Sequence, residues 1–323
     1  MTSLIEPPTD FTTFELAEWI ETSMLLSGLS SIASAEVEAK FPVNQRPDAA
    51  EIDQLFAEIR TRADSAPDLY PFRAVDSEIV LDADLDPTIY FFLLVLSIEA
   101  APYRTEHRFN DISPALELVT REAMLGMLGK GGEARRFGWP SGDGRPEALG
   151  SAVEWLAGEM GLDVGVVWDD IDEDDKDGGI DVAAWHPFPD TGPSFPTFLV
   201  QVTTQASYER KPADVVPEQW IAWIRFGREP TIGLSVPYAV PQDAKVRLSK
   251  LRYTTGLLLD RLRICKLLED RDMKAFSEYR FMEEWTKSEL EKIIRSLSER
   301  DPEKQPRLAK KRRPKKEGAA ESG

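Results

Sequence analysis

One stretch of this 323-residue chain combines residue types that could do chemistry. It reads Asp177-Gly178-Gly179-Ile180-Asp181-Val182 and is followed by Phe198-Leu199-Val200-Gln201-Val202-Thr203. Asp181 follows two glycines, where the backbone turns sharply and no side chain crowds the approach. Val182, Ala183, Ala184 and Trp185 continue as an apolar strand, and Gln201 falls in the next strand. A carboxylate from one strand and an oxygen from its neighbour suit one Mg²⁺ (or Mn²⁺), a hard cation that prefers oxygen. Such an ion would polarise a phosphodiester and lower the pKa of an attacking water. The plainer alternatives are a turn aspartate after two glycines and a glutamine on the exposed face of a strand.

The elements that must position these residues follow from periodicity and turn signals. Between residues 111 and 240 the pattern predicts helix, strand, helix, strand, strand, helix, strand. A helix begins at Asp111-Ile112-Ser113-Pro114, an N-cap with an early proline, and runs to about Leu128. Arg136-Phe137-Gly138-Trp139 is a short candidate strand. Residues 147–160 form a helix stopped by Gly161. Residues 180–186 and 197–204 are hairpin strands, joined by a loop rich in proline and glycine. Residues 217–226 form a helix, and 231–236 a strand ended by Pro237. Mixed strands and helices in this order make an α/β sandwich.

The motif Gly-Gly-Ile-Asp-Val … Leu-Val-Gln-Val-Thr resembles the active-site hairpin of Mrr-type members of the PD-(D/E)XK nuclease superfamily. The resemblance covers roughly residues 107–240. It implies a restriction-endonuclease-like α/β sandwich, with a mixed central sheet flanked by helices. It also implies a metal-dependent endonuclease acting on DNA rather than RNA, in restriction or other defence against foreign DNA. Asp181 matches the motif aspartate and Gln201 the glutamine, with the Val202 carbonyl as a further metal ligand. Thr203 stands where the family has its lysine, which orients water and stabilises developing negative charge. In several branches that lysine comes from a neighbouring element. Trp185, Gln201, Lys211 and Trp220 match the layout of one such bacterial subfamily, which makes Lys211 the candidate. Leu116-Glu117-Leu118 matches the family's helix-borne acid, so Glu117 is the candidate second metal ligand, with Glu122 as runner-up. On their own, Glu117 would be a solvated helix residue and Lys211 a surface loop lysine.

Composition frames the rest. Apolar residues make up 42% and eight tryptophans are present, enough to bury a core. Net charge is -18, which disfavours wrapping nucleic acid, yet residues 301–323 are locally basic, at +4. Within that tail, Lys310, Lys311, Arg312, Arg313, Lys315 and Lys316 either tether nucleic acid or form a disordered solvated end. The single cysteine, Cys265, excludes an intrachain disulfide and a cysteine zinc site, and fits a reducing cytoplasm. The N-terminus lacks signal-peptide order, and the apolar run 89–98 is too short to span a bilayer. A cytoplasmic protein with no membrane contact is expected.

The chain divides into a mostly helical region 1–105, a nuclease core 106–242, C-terminal helices 243–300 and a tail 301–323. Residues 11–29, 48–63 and 88–100 read as N-terminal helices, a surface for a protein partner or for control of access. The acidic run 169–175 lacks the glycine and glutamate of an EF-hand frame and reads as a solvated loop. Trp220 and Trp223, three apart on one helix, read as core, as does Cys265. His186 reads as structural, and two histidines are too few for a histidine metal site. Two further functions stay open. One is a decayed nuclease fold acting as a nucleic-acid- or protein-binding subunit, which Thr203 favours. The other is a structural or regulatory protein working through its helical ends, which the acidic body favours.

Overall fold

The computed structural model describes residues 5–9, 11–98, 109–165, 176–190, 192–208, 211, 214–248 and 256–299. The basic tail, the acidic run 169–175 and His107 lie outside the described residues.

A mixed five-stranded sheet organises the centre of the chain, with strand order β4-β5-β6-β7-β8. Its strands are β4 (Glu133–Arg136), β5 (Val182–Trp185), β6 (Thr197–Val202), β7 (Thr231–Ser235) and β8 (Leu257–Leu259). The first three pair antiparallel, while β6–β7 and β7–β8 are parallel. Side chains alternate across a strand, and the core records that alternation. Val182, Ala184 and Val200 join an apolar cluster with Leu116, Val119 and Ala123 of α5 (Phe109–Leu128). Ala183, Trp185 and Leu199 join a second cluster on the opposite face. There they meet α6 (Leu149–Met160) and α7 (Pro217–Trp223). The centre is therefore an α/β assembly with helices on both faces of a mixed sheet. Trp220 and Trp223 pack edge to face in the second cluster, ring centroids 5.1 Å apart, as their spacing predicts.

The N-terminal region contains the expected helices: α1 (Thr13–Ser27), α3 (Ala49–Ser65) and α4 (Thr88–Leu96), with a short α2 (Ser34–Ala39). Beside them it contains a small three-stranded antiparallel sheet, β1-β3-β2, which periodicity did not reveal. These strands are β1 (Ser31–Ala33), β2 (Phe72–Val75) and β3 (Glu78–Leu81). Strands this short carry too few alternations to show a period of two. α4 is a buried helix, as its run length indicates. α1 and α3 each begin with a complete capping box, Thr12 with Glu15 and Asp48 with Glu51.

Two further corrections affect the sheet. β4 is Glu133–Arg136 rather than 136–139, because its charged residues alternate with the buried Ala134 and Arg136 instead of forming an apolar run. Beyond residue 242 the chain is not wholly helical, since Leu257-Leu258-Leu259 pairs with β7 as the edge strand β8. A triplet of leucines fits either period, and only the neighbouring strand decides. The remaining elements there are α8 (Gln242–Leu248), α9 (Arg261–Leu268) and α10 (Tyr279–Glu299). The N-terminal helices, α5 and α9 share one continuous apolar core, in which Cys265 is fully buried. Among the described residues, no helix is long and apolar enough to cross a membrane.

Candidate functional site

The turn Asp177–Ile180 builds the site from its backbone. Gly178 and Gly179 both have positive φ, 57° and 81°, a conformation that L side chains rarely adopt. A Cβ at Gly179 would also collide with the Asp214 carbonyl. Asp177 Oδ1 accepts from Gly179 N at 3.0 Å, and Trp220 Nε1 donates to the Gly178 carbonyl at 3.0 Å. The buried tryptophan of α7 thus fixes the turn that aims Asp181.

Asp181 stands immediately before β5 and is held on every side. Its N–H donates to Val200 O at 2.9 Å, and its carbonyl accepts from Phe137 N (2.6 Å) and Gly138 N (3.0 Å). Its carboxylate Oδ2 accepts from Val202 N at 2.7 Å. The other oxygen, Oδ1, faces Gly138. A Cβ on Gly138 would lie 2.9 Å from Asp181 Oδ1 and would overlap Glu117 Oε2. Gly138 therefore leaves a cradle in which two carboxylates from different elements, α5 and the start of β5, come together. Phe137 and Gly138 leave the β4 ladder to make it, which is why the expected strand stops at Arg136.

The electrostatics are out of balance. Glu117 is 3% exposed, and burial pushes its carboxyl up to about 7. The Arg136 guanidinium opposes that rise, donating from Nε to Glu117 Oε2 at 2.6 Å, and Asp177 adds to it. Burial raises Asp181 well above the usual carboxylate range, and Glu117 pushes it further. Val202 N–H and Arg136 pull in the other direction without prevailing. Arg145 adds a weaker attraction to that of Arg136, and burial still outweighs both at Glu117.

A cleft of about 530 Å³ opens at Asp181, lined also by Asp177, Gln201, Val202, Lys211 and Asp214, while Glu117 is not among its lining residues. Gln201 is buried and its Oε1 has no hydrogen-bond partner, while its Nε2 donates to Asp214 Oδ2 at 3.4 Å. Lys211 Nζ donates to the same Asp214 oxygen at 2.8 Å. Thr203 is buried, its Oγ1 accepting from Gln205 N at 3.1 Å, and it brings no charge.

The structure thus gathers Asp181, Gln201, Val202 and Lys211 around one cleft, with Glu117 outside its lining and near Asp181 at Gly138. Glu122 is directed elsewhere, pairing with Arg121 and Arg271. His186 is a strand-end residue, its Nε2 3.3 Å from the Lys130 carbonyl oxygen. Periodicity did not reveal Arg136, Asp177 or Asp214. Asp177 could have been found from its place two residues before the paired glycines' end, but Arg136 and Asp214 are recruited by tertiary packing alone.

The donor set fits a hard cation in three respects: a two-carboxylate cradle, an orphaned amide oxygen beside it and a deficit of positive charge. Among the described residues, no group of three or more His, Cys, Asp and Glu side chains could hold a metal ion. A cation here would thus use two carboxylates, with neutral oxygens from Gln201 and the main chain. Compared with known proteins, the chain matches no protein-family model, no curated protein and no solved structure.

Proposed function

We propose that this cleft is the active site of a metal-dependent nuclease that hydrolyses phosphodiester bonds, in DNA rather than RNA. The observation that carries the proposal is the meeting of Asp181 and Glu117 at Gly138, beside the unpartnered Gln201 oxygen. Asp181, Glu117, Gln201 Oε1 and the Val202 carbonyl are the candidate ligands. A Mg²⁺ or Mn²⁺ ion held there would polarise the phosphodiester and acidify an attacking water.

The chain's own residues do the rest. Val202 N–H fixes one oxygen of Asp181, so the other keeps a constant direction toward Glu117. Arg136 keeps Glu117 from swinging away. Asp214 holds the Lys211 ammonium at the cleft wall. From there the ammonium would orient water and stabilise negative charge developing on the phosphate, the part that Thr203 cannot play. The acidic body repels a polyanion. The basic tail residues Lys310, Lys311, Arg312, Arg313, Lys315 and Lys316 would offset that repulsion by non-specific contact. The N-terminal region would bind a protein partner or control access. The resemblance of the hairpin to Mrr-type nucleases points to restriction or anti-phage defence inside the cell.

A second reading, a decayed nuclease fold that only binds nucleic acid or protein, is favoured by one observation. Thr203 occupies the motif lysine position, and Lys211 is already paired with Asp214. Plasmid cleavage in Mg²⁺ or Mn²⁺ separates the two. The wild type should cut, Asp181→Ala should fall to background, and Lys211→Ala should lose about 10²- to 10³-fold, as when one charge-stabilising donor is removed. Equal cleavage by all three would remove these residues from the site. Absence of cleavage in all three, with binding retained, would establish the second reading.

A further inference from the structure

Beside the carboxylate pair stands a large aromatic that the fold does not bury. Trp139 is 42% exposed, whereas Trp185, Trp220 and Trp223 are almost fully covered. It directly follows Gly138, where an added Cβ would run into Glu117 and Asp181. Consecutive Cα atoms are about 3.8 Å apart, so its backbone is anchored at the rim of the acidic cradle. Lys176 Nζ lies 4.1 Å from the centre of its ring. Lys176 is in turn the neighbour of Asp177, which lines the cleft.

The surroundings of this pair are fixed. Arg136 Nη2 donates to the Pro140 carbonyl at 2.9 Å, tying the residue after Trp139 to the Arg136–Glu117 ion pair. Arg145 donates to the Lys176 carbonyl and stacks on Phe137, its guanidinium carbon 4.5 Å from the ring centre. Both partners are therefore held by arginines that also set the cradle. A ring kept half in solvent with an ammonium over it offers a π-face and a positive charge at one point. A nucleotide presents the complement, a base that stacks and a phosphate that pairs.

We propose that Trp139 and Lys176 form a stacking subsite for an unpaired nucleobase next to the phosphate that a cation at Asp181 and Glu117 would engage. The inference rests on the nuclease reading and narrows its substrate to nucleic acid that is single-stranded or unpaired at the cut. A base inside a duplex has both faces covered and cannot reach the ring without unstacking. Lys176 yields the ring face to the base and contacts the adjacent phosphate.

The test is fluorescence anisotropy of a labelled short oligothymidylate, and of a duplex of equal length, with the full chain in low salt and chelator. Trp139→Ala should weaken oligothymidylate binding roughly 5- to 150-fold, the range for loss of one stacked base. Trp139→Phe should keep most of the affinity, and duplex binding should be unchanged in both variants. A thermal melt shows whether each variant is folded. Equal oligothymidylate binding by folded Trp139→Ala and wild type would overturn the subsite, as would a lack of oligothymidylate binding by wild type. Cleavage of plasmid and of single-stranded circular DNA in Mg²⁺ or Mn²⁺ by wild type against Asp181→Ala reports the nuclease reading separately, so the subsite can fail while that reading stands.

Discussion

Among the described residues, two clusters of buried acids and arginines differ in whether the charges are satisfied. In the N-terminal region, Glu21 is fully buried between Arg62 and Arg261. Its Oε1 accepts from Arg62 Nη1 (2.8 Å) and Tyr70 Oη (2.7 Å), and its Oε2 from Tyr90 Oη (2.6 Å) and Arg261 Nη1 (3.3 Å). Glu18 bridges the same two arginines. Burial pushes Glu18 up, but Arg261 and Arg62 pull it below its usual range. At the cleft, Arg136 is bonded to Glu117 and Arg145 attracts it more weakly, yet Glu117 and Asp181 are both driven upward, and Gln201 Oε1 has no hydrogen-bond partner. One cluster welds α1, α3, α4 and α9 together. The other leaves two carboxyls raised by burial, a balance that a bound proton or, on the proposed function, a cation would restore.

The largest effect should come from breaking the satisfied cluster. Glu21→Ala leaves Arg62 and Arg261 with only the partly exposed Glu18 and Glu58 as carboxylate partners and removes the acceptor of the Tyr70 and Tyr90 hydroxyls, and should cost about 3–5 kcal/mol in urea unfolding. A loss no greater than that of a surface substitution would erase the contrast. Asp181→Asn should do the reverse in metal-free protein. It keeps an acceptor for Val202 N–H and removes a repelled charge, so stability should rise by about 1–2 kcal/mol. A destabilised Asp181→Asn would mean that the carboxylate is already balanced.

A smaller, graded effect follows from Glu117. Its folded pKa is about 7, above the value near 4.3 expected when unfolded. Below both values the carboxyl is protonated in either state and contributes nothing. As pH rises between them, the unfolded chain releases a proton that the folded chain retains, so stability falls, then levels off. Burial and Glu117 shift Asp181 in the same direction and steepen the fall. Urea unfolding of metal-free protein should therefore give lower stability at about pH 8 than at about pH 5, with a shallower slope in Glu117→Gln. An unchanged slope in that variant would assign the titration to another group.

Legibility in the sequence followed the same division. Asp181 and Gln201 could be found because glycines, an apolar strand and a second strand flank them within a short span. α5 and α7 were visible from their helical spacing, and β5, β6 and β7 from apolar runs bounded by glycine and proline turns. Arg136 looked like the start of a strand, although it ends one and turns its guanidinium onto Glu117, 19 residues earlier. β8 and the N-terminal sheet were hidden because strands of three or four residues acquire their identity from partners far along the chain. The Glu21 cluster unites residues up to 243 positions apart and leaves no local pattern.

The claim that the cleft is short of one cation has a direct measurement, calorimetric titration of Mn²⁺ into metal-free protein. Wild type should bind at one site, Glu117→Gln should bind more weakly and Asp181→Ala should not bind there. Identical heats from wild type and Asp181→Ala, or none from folded wild type, would contradict it.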